Sequence, residues 1–327
     1  VKAAVRTRYG PPEGVLIEEV SPPTAKDHEV LVRVRVTTVN RTDCGYRAGK
    51  PFIVRLFSGI PRPKVSILGS EFAGEVVAVG TGVTTFEVGD DVFGFSEADR
   101  FGAHAEYLTV PEDGALATMP EDATYAEIAP STEGSHYALS FIRAAKIRSG
   151  QRVLVYGATG AIGSAAVQLV KQLGATVTAV CDTTNVEIVR GLGADRVIDR
   201  LTQDFTKDPQ RYDAVLDAVG KSSFGRCKPL LKPRGVYISS DLGPLSMNPF
   251  LALVTPVFGG KRVRFPIPPD HDQQDVLRLK EMFEAGTFRP VIDRRYPLER
   301  IDEAYRYVET GRKIGNVLID IAAPTAA

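Results

Sequence analysis

Cysteine is scarce, net charge is absent and no long apolar run occurs, and each shortage removes a class of function. The three cysteines, Cys44, Cys181 and Cys227, are odd in number and far apart. Neither a disulfide framework nor a Cys-rich metal lobe is therefore expected. Forty basic residues balance forty acidic ones, so no global field favours nucleic acid or an anionic membrane. No apolar stretch reaches the roughly eighteen residues that a membrane-spanning helix needs. The N-terminus shows no charged segment leading into a signal-type apolar region. The expectation is a cytoplasmic protein with neither a nucleic-acid nor a membrane partner. At 327 residues, the chain is long enough for two domains with separate cores.

What is present concentrates at Val153 to Gly163, which reads Val-Leu-Val-Tyr-Gly-Ala-Thr-Gly-Ala-Ile-Gly. A β-branched apolar run ends in Gly157, Gly160 and Gly163, and a helical pattern follows with Ala165, Ala166, Leu169, Val170 and Leu173. This is the strand–turn–helix sequence of a dinucleotide-binding βαβ unit. Gly157 suits the tight turn, Gly160 lets the backbone approach a pyrophosphate, and Gly163 allows close helix–strand packing. Ala158, Thr159, Ala161 and Ile162 complete the loop, whose helix N-terminus offers N–H groups and a positive dipole end. An ordinary αβ turn is the competing account. A second strand pattern, Thr176 to Val180, ends near Asp182, about twenty residues past the glycines, where an adenosine-ribose partner belongs.

The first third reads as β structure. Val30 to Val36, Glu75 to Val79 and Asp91 to Phe95 are strand candidates punctuated by Gly80, Gly82, Gly89 and Gly94. Lys50 to Ile67 is too proline-broken for a long element, yet too apolar for an ordinary solvated loop. From Tyr125 the pattern alternates. Helices are expected over Tyr125 to Ala145, Ser164 to Leu173 and Val186 to Leu192. Strands are expected over Val153 to Tyr156, Thr176 to Cys181, Arg196 to Asp199, Ala214 to Asp217 and Gly235 to Ser239. Val263 to Phe265 would add an edge strand, and a proline cluster beyond Pro266 marks a crossing. Gln274 to Ala285 and Ile301 to Thr310 read as helices, and Val317 to Ile321 as a strand able to rejoin the N-terminal β domain.

This layout resembles the medium-chain dehydrogenase/reductase superfamily, in its zinc-independent, quinone-oxidoreductase-like branch. Beside the glycine turn, the resemblance is carried by Lys2-Ala3-Ala4-Val5, Asn40-Arg41-Thr42-Asp43, Gly69-Ser70-Glu71-Phe72-Ala73-Gly74 and Val88-Gly89-Asp90-Asp91-Val92. Leu192-Gly193-Ala194-Asp195 and Gly311-Arg312-Lys313-Ile314-Gly315 extend it over nearly the whole chain. It implies an α/β protein: a Rossmann doubly wound parallel sheet over 123–265, and a GroES-like β-rich catalytic domain over 1–122 with a return over 266–327. Where zinc-dependent members carry a Cys, a His and a third ligand, this chain has Asn40, Ser70 and Ser131-Thr132-Glu133. Asn and Ser are poor zinc ligands and Glu133 alone would not hold the metal, so no zinc is expected.

The resemblance places Asn40 and Asp43 on the floor of the nicotinamide site, where Asn40 could donate to a substrate oxygen or to the cofactor. Alternatively, both simply cap the helix that follows. Tyr46 could hydrogen-bond a substrate carbonyl or only cover the domain surface. His136 corresponds to a position facing the nicotinamide, where an imidazole could donate a hydrogen bond or relay a proton. Its competing role is packing. His28, His104 and His271 are read as surface or turn residues.

Asp182 bears on the cofactor, because a carboxylate there accepts from the ribose hydroxyls and repels a 2′-phosphate. Thr183, Thr184 and Asn185 follow instead of a cation, which favours NADH, although NADPH is common in this branch. Thr184 with Glu187 could equally form a capping box.

Without a metal to polarise an ordinary carbonyl, hydride transfer favours quinones or carbonyls conjugated to an alkene. The resulting expectation is an NAD(P)H-dependent reductase of a hydrophobic quinone or enone. Phe52 to Phe57 and Met247 to Phe258 are candidate pocket walls, and the Val263 to Phe265 edge is a candidate for pairing a homodimer. The alternatives are a zinc-free alcohol dehydrogenase with His136 as base, and a non-catalytic dinucleotide-binding redox sensor or partner protein.

Overall fold

The computed structural model describes residues 1–96, 100–239, 241–266 and 272–321. His271 and the prolines just beyond Pro266 lie outside these residues. The chain forms two compact units, Val1–Glu133 with His271–Ala327, and Gly134–Asp270.

The first unit opens with a hairpin of β1 (Lys2–Val5) and β2 (Leu16–Glu19). It continues through β3 (Glu29–Val39), α1 (Arg41–Ala48), α2 (Ile53–Ser58), β4 (Glu71–Val79), β5 (Asp91–Phe95), β6 (Tyr107–Pro111) and β7 (Leu116–Thr118). The apolar alternation of β3 is its burial pattern: Val30, Val32 and Val34 are buried while Leu31, Arg33 and Arg35 are partly exposed.

The helical stretch expected over Tyr125 to Ala145 is instead broken into α3 (Tyr125–Ile128), a 3₁₀ turn at Ala129–Ser131 and α4 (Thr132–Ala145). Pro130, at φ −81 and ψ 17, departs from helical geometry there, and proline offers no N–H to continue the ladder.

The second unit alternates strand and helix: β8 (Arg152–Tyr156), α5 (Ala161–Gln172), β9 (Thr176–Cys181), α6 (Val186–Gly191), β10 (Arg196–Asp199) and β11 (Tyr212–Asp217). Then come α7 (Phe224–Cys227), β12 (Leu231–Ser239), α8 (Met247–Val254) and β13 (Arg262–Arg264). All six strands pair in parallel, in the order β10-β9-β8-β11-β12-β13. The chain therefore runs outward from β8 in one direction, then crosses and runs outward in the other. The resulting switch point lies between β8 and β11, where open α/β sheets bind ligands at the strands' carboxyl ends. Leu154, Val180, Val215 and Tyr237 fill the core of this unit.

Beyond the second unit, the chain returns to the first through α9 (Gln273–Glu284), β14 (Ile292–Pro297), α10 (Ile301–Glu309) and β15 (Asn316–Asp320). As expected, the last strand rejoins the β domain: β15 pairs antiparallel with β3, and the sheet runs β14-β15-β3-β4-β5-β7, with β6 also pairing β3. Phe72, Val32, Val317 and Tyr305 lie in its core.

Candidate active site

The three glycines of the β8–α5 turn do different work. Gly157 has φ +79, and a Cβ on it would lie 2.5 Å from Val219 Cγ1. A Cβ on Gly163 would lie 2.1 Å from the Gly157 carbonyl oxygen, so α5 packs directly on the turn. Gly160 has ordinary extended angles, φ −72 and ψ 171, and a Cβ there would meet nothing closer than 3.7 Å. Packing demands the first and third glycines. Open approach to the backbone is what the second provides.

Gly160 is also the N-cap of α5 and contributes no side-chain cap. The leading N–H groups of this twelve-residue helix thus have neither intrahelical partners nor a capping side chain. Ala161 and Gly163 are buried, and Thr159, Gly160 and Ile162 are half-buried. The turn fits the diphosphate of a dinucleotide, since donors, dipole and clearance coincide at the β8/β11 switch point. A part of this region that sequence reasoning missed is Asp217-Ala218-Val219-Gly220, which follows β11. Asp217 is fully buried, accepts from Ser222 N–H at 2.8 Å and from Tyr237 O–H at 3.0 Å, and so holds Val219 against Gly157.

Asp182 lies just past β9 and is paired with Arg200, whose Nη2 donates to Oδ2 at 2.9 Å. Sequence reading found no cation beside Asp182 because Arg200 arrives from the end of β10, eighteen residues on. The Thr184–Glu187 capping box does not form. Thr184 lies inside a 3₁₀ turn at Thr183–Asn185, so α6 starts at Val186 and Glu187 is its second residue instead of its third. Glu187 pairs with Arg190, and Thr183 Oγ1 donates to Asp199 at 2.6 Å.

In the first unit, Asn40 caps α1. Its Oδ1 accepts from Asp43 N–H at 2.9 Å, Asp43 Oδ2 accepts from Asn40 N–H at 3.1 Å, and Asn40 Nδ2 donates to Ser70 Oγ at 2.8 Å. The capping account of both residues is thus realised, and these bonds use one of the two amide hydrogens of Asn40. Asp43 is fully buried and also accepts from Gly69 N–H at 3.1 Å. Burial raises its pKa to about 7, against these hydrogen bonds and the charge of Arg6. Tyr46, one turn along α1, is half-buried with its ring edge-on to Phe101 at 4.9 Å.

His136 lies buried on α4 in the second unit, edge-on to Tyr137 at 5.7 Å. A Cβ on Gly134 would lie 2.7 Å from the Ala161 carbonyl. The start of α4 therefore abuts the start of α5, placing His136 in the same unit as the glycine turn.

His104 corrects the sequence reading of it as a surface or turn residue, in that it is not at the surface. It is 1 % exposed, with Nε2 donating to the Thr38 carbonyl at 2.7 Å and Nδ1 accepting from Tyr305 O–H at 3.3 Å. Burial lowers its pKa to about 4, which keeps the ring neutral.

A second feature missed at the sequence level is a buried carboxylate pair beside α1. Glu71 accepts from Thr38 Oγ1 at 2.7 Å, Thr132 N–H at 3.2 Å, Thr132 Oγ1 at 3.1 Å and Glu133 N–H at 2.8 Å. Glu133 accepts from Thr42 Oγ1 at 2.9 Å.

The donor chemistry does not suit zinc. The oxygen of Asn40 is spent on the cap, Ser70 accepts from Asn40, and Glu133 is held by Thr42. Among the described residues, no three His, Cys, Asp or Glu side chains are grouped to hold a metal ion.

Comparison with known proteins agrees with this architecture. Residues 26–121 match the alcohol dehydrogenase GroES-like domain, and residues 192–319 match a family described as zinc-binding dehydrogenase. The chain is 30 % identical over 98 % of its length, and 79 % of the relative's, to a 2-methylene-furan-3-one reductase of Solanum lycopersicum. It is 29 % identical over 98 % of its length, and 79 % of the relative's, to an NADPH-dependent alkenal/one oxidoreductase of Arabidopsis thaliana. A quinone oxidoreductase from Coxiella burnetii shares the fold, with TM-score 0.87 and 24 % identity, covering 98 % of this chain and 99 % of that one. The chain belongs to the medium-chain dehydrogenase/reductase superfamily, in its quinone-oxidoreductase-like branch of oxidoreductases.

Proposed function

We propose that the protein is an NAD(P)H-dependent, zinc-independent reductase of hydrophobic quinones or α,β-unsaturated carbonyl compounds. The observation that carries this reading is the α5 N-terminus above Gly160, open to a diphosphate at the β8/β11 switch point. Gly157 to Gly163 hold the diphosphate, and Asp182, Thr183 and Thr184 meet the adenosine ribose. When bound, the reduced nicotinamide supplies hydride. Asn40 and Asp43 set the floor of the reacting site. The second amide hydrogen of Asn40, or the phenol of Tyr46, donates to the oxygen that gains charge, a contribution of about 2–4 kcal/mol for a well-placed donor. His136 donates beside the nicotinamide. Loss of nicotinamide absorbance with a panel of quinones and enals tests the proposal, and its absence with every acceptor defeats it.

NADH is the preferred cofactor in this reading, because Asp182 presents a carboxylate to the ribose hydroxyls and repels a 2′-phosphate. Arg200 favours the second reading, NADPH. Its guanidinium already lies against Asp182, half-exposed, and can receive a phosphate. The ratio of kcat/KM values for the two cofactors decides between them.

The assembly we propose is a homodimer acting in the cytoplasm without nucleic-acid or membrane partners. It is supported by the terminal place of β13 in its sheet and by the exposed Leu253, Val257 and Phe258 nearby on α8 and the turn after it. Val263 N–H donates to Thr255 Oγ1 at 2.9 Å, so that position of the edge is already occupied. No helix among the described residues is long and apolar enough to cross a membrane. Light scattering that returns a monomer mass defeats the dimer.

A further inference from the structure

Reduction of an enone consumes a proton as well as a hydride, and one buried group beside α1 is built to hold a proton. Three carboxyl groups lie there: Asp43 on α1, Glu71 on β4 and Glu133 at the start of α4. Each is almost wholly buried. Their surroundings separate them. Four hydrogen bonds from Thr38, Thr132 and Glu133 N–H converge on Glu71 and favour its ionised form, against the burial that raises its pKa. Asp43 is held by two backbone N–H groups, from Asn40 and Gly69. Among the described residues, Glu133 accepts a single side-chain hydrogen bond, from Thr42, while its own N–H is tied to Glu71.

Glu133 therefore sits beside a carboxyl better supplied with hydrogen-bond donors than itself. Burial raises its pKa, the charges of Glu71 and Asp43 raise it further, and the Lys313 ammonium pulls it back. Lys313, on the loop before β15, is in turn lowered by loss of water and supported by Glu133 and Glu71. Two like charges in one dry space do not both ionise freely, so the proton resides on the carboxyl with fewer donors. That carboxyl is in contact with the hydroxyl of Thr42, which is half-buried in the first turn of α1 between Asn40 and Tyr46. Thr42 and Tyr46 share one face of the helix at i, i+4 spacing.

We propose that Glu133 stores the proton for the reduction and passes it through the Thr42 hydroxyl to the reduced substrate. This rests on the reductase reading above. Hydride adds to the β-carbon of the enone, and the alkene electron pair moves to give an enolate. In the proton-loaded state the Glu133 carboxyl donates to Thr42 Oγ across this 2.9 Å contact, the reverse of the bond in which Thr42 donates to the carboxylate, and Thr42 Oγ releases its hydrogen to the enolate α-carbon while taking the hydrogen of the Glu133 carboxyl. The O–H bond of Glu133 breaks and a C–H bond forms on the substrate. Glu133 remains as a carboxylate beside Lys313 until solvent returns the proton. Glu133 acts through Thr42 and is a positioning group for the proton, not a group that touches substrate.

The test is the pH profile of kcat with an enal, from neutral to alkaline pH, paired with infrared spectra of the same proteins without substrate. Wild type loses kcat as pH rises through the titration of Glu133. Glu133→Gln loses that alkaline limb and about tenfold or more in kcat, with KM little changed. Thr42→Val behaves in the same way, and Thr42→Ser restores both rate and limb. Lys313→Met moves the limb to higher pH, because removing the cation disfavours the carboxylate. In the infrared, wild type shows a protonated-carboxyl band that disappears at alkaline pH and is missing from Glu133→Gln. An unchanged limb in Glu133→Gln, or a band that persists in it, overturns the proposal. If wild type fails to oxidise cofactor with every quinone and enal offered, the reductase reading fails, and the infrared comparison alone decides whether Glu133 holds the proton.

Discussion

Adding one methyl group at Gly160 separates the cofactor-cradle role of the β8–α5 turn from its packing role. A Cβ at Gly160 would lie 3.7 Å from the Gly157 carbonyl oxygen and 3.9 Å from Val219 Cγ1, both ordinary contacts. The backbone angles there suit alanine. The fold therefore tolerates Gly160→Ala. Replacing a glycine N-cap by alanine costs about 1 kcal/mol or less, and the stiffer unfolded chain offsets roughly half of that or more. The methyl group does, however, fill the space through which a diphosphate approaches the α5 N–H groups. Losing one charge-assisted hydrogen bond there costs about 1.5–3 kcal/mol, or roughly 10- to 100-fold in Kd.

Gly163→Ala is the contrast. Its Cβ would lie 2.1 Å from Gly157 O and 2.9 Å from Ala158 Cα, both backbone atoms that cannot rotate away. Overpacking of that kind costs about 1–3 kcal/mol of stability in addition to cofactor binding. The chain has no tryptophan, so binding is read by calorimetry or from the fluorescence of the reduced cofactor, and stability from urea unfolding. Wild-type cofactor affinity in a fully folded Gly160→Ala protein would refute the argument.

Removal of Arg200 tests the adenosine-ribose end: Arg200→Ala frees Asp182, and the NADH-to-NADPH ratio of kcat/KM rises about tenfold or more; a ratio that does not move shows that the pair plays no part in selection. His104 supplies an acid-stability signature. Its folded pKa is about 4 against a usual value of 6.5, so stability is lost as pH falls from about 6.5 towards 4, by about 3 kcal/mol at the lower end. Asp43, raised to about 7, works in the opposite direction over the same range, so the difference between wild type and His104→Gln in urea midpoints isolates the histidine. A difference independent of pH would contradict its buried neutral state. Tyr237 holds the loop that presses on Gly157 through Asp217 at 3.0 Å; Tyr237→Phe leaves a buried carboxylate short of one donor, costing about 1–3 kcal/mol. Unchanged urea stability would show that Asp217 finds another donor.

Much of the second unit was legible because its buried parallel strands are continuous β-branched runs, as in Val153–Tyr156 and Thr176–Cys181. The strand β14 was not. It reads Ile-Asp-Arg-Arg-Tyr-Pro at the edge of its sheet, mostly exposed, with no apolar alternation to betray it. The glycine turn could be read from local spacing alone, since its three roles fall within seven residues. The buried carboxylates could not, because Glu71 meets Thr38 and Thr132 across 33 and 61 positions of chain. Arg200 escaped for the same reason. His104 was misread because a lone histidine between small residues carries no signal of burial, and its partner Tyr305 lies 201 residues away.

The most direct test of the account is cofactor oxidation by chelator-dialysed protein given a conjugated enal. Undiminished turnover is the predicted result, with hydride chemistry supported by Asn40, Tyr46 and the α5 turn alone. Turnover that vanishes on dialysis and returns only with added zinc would contradict it.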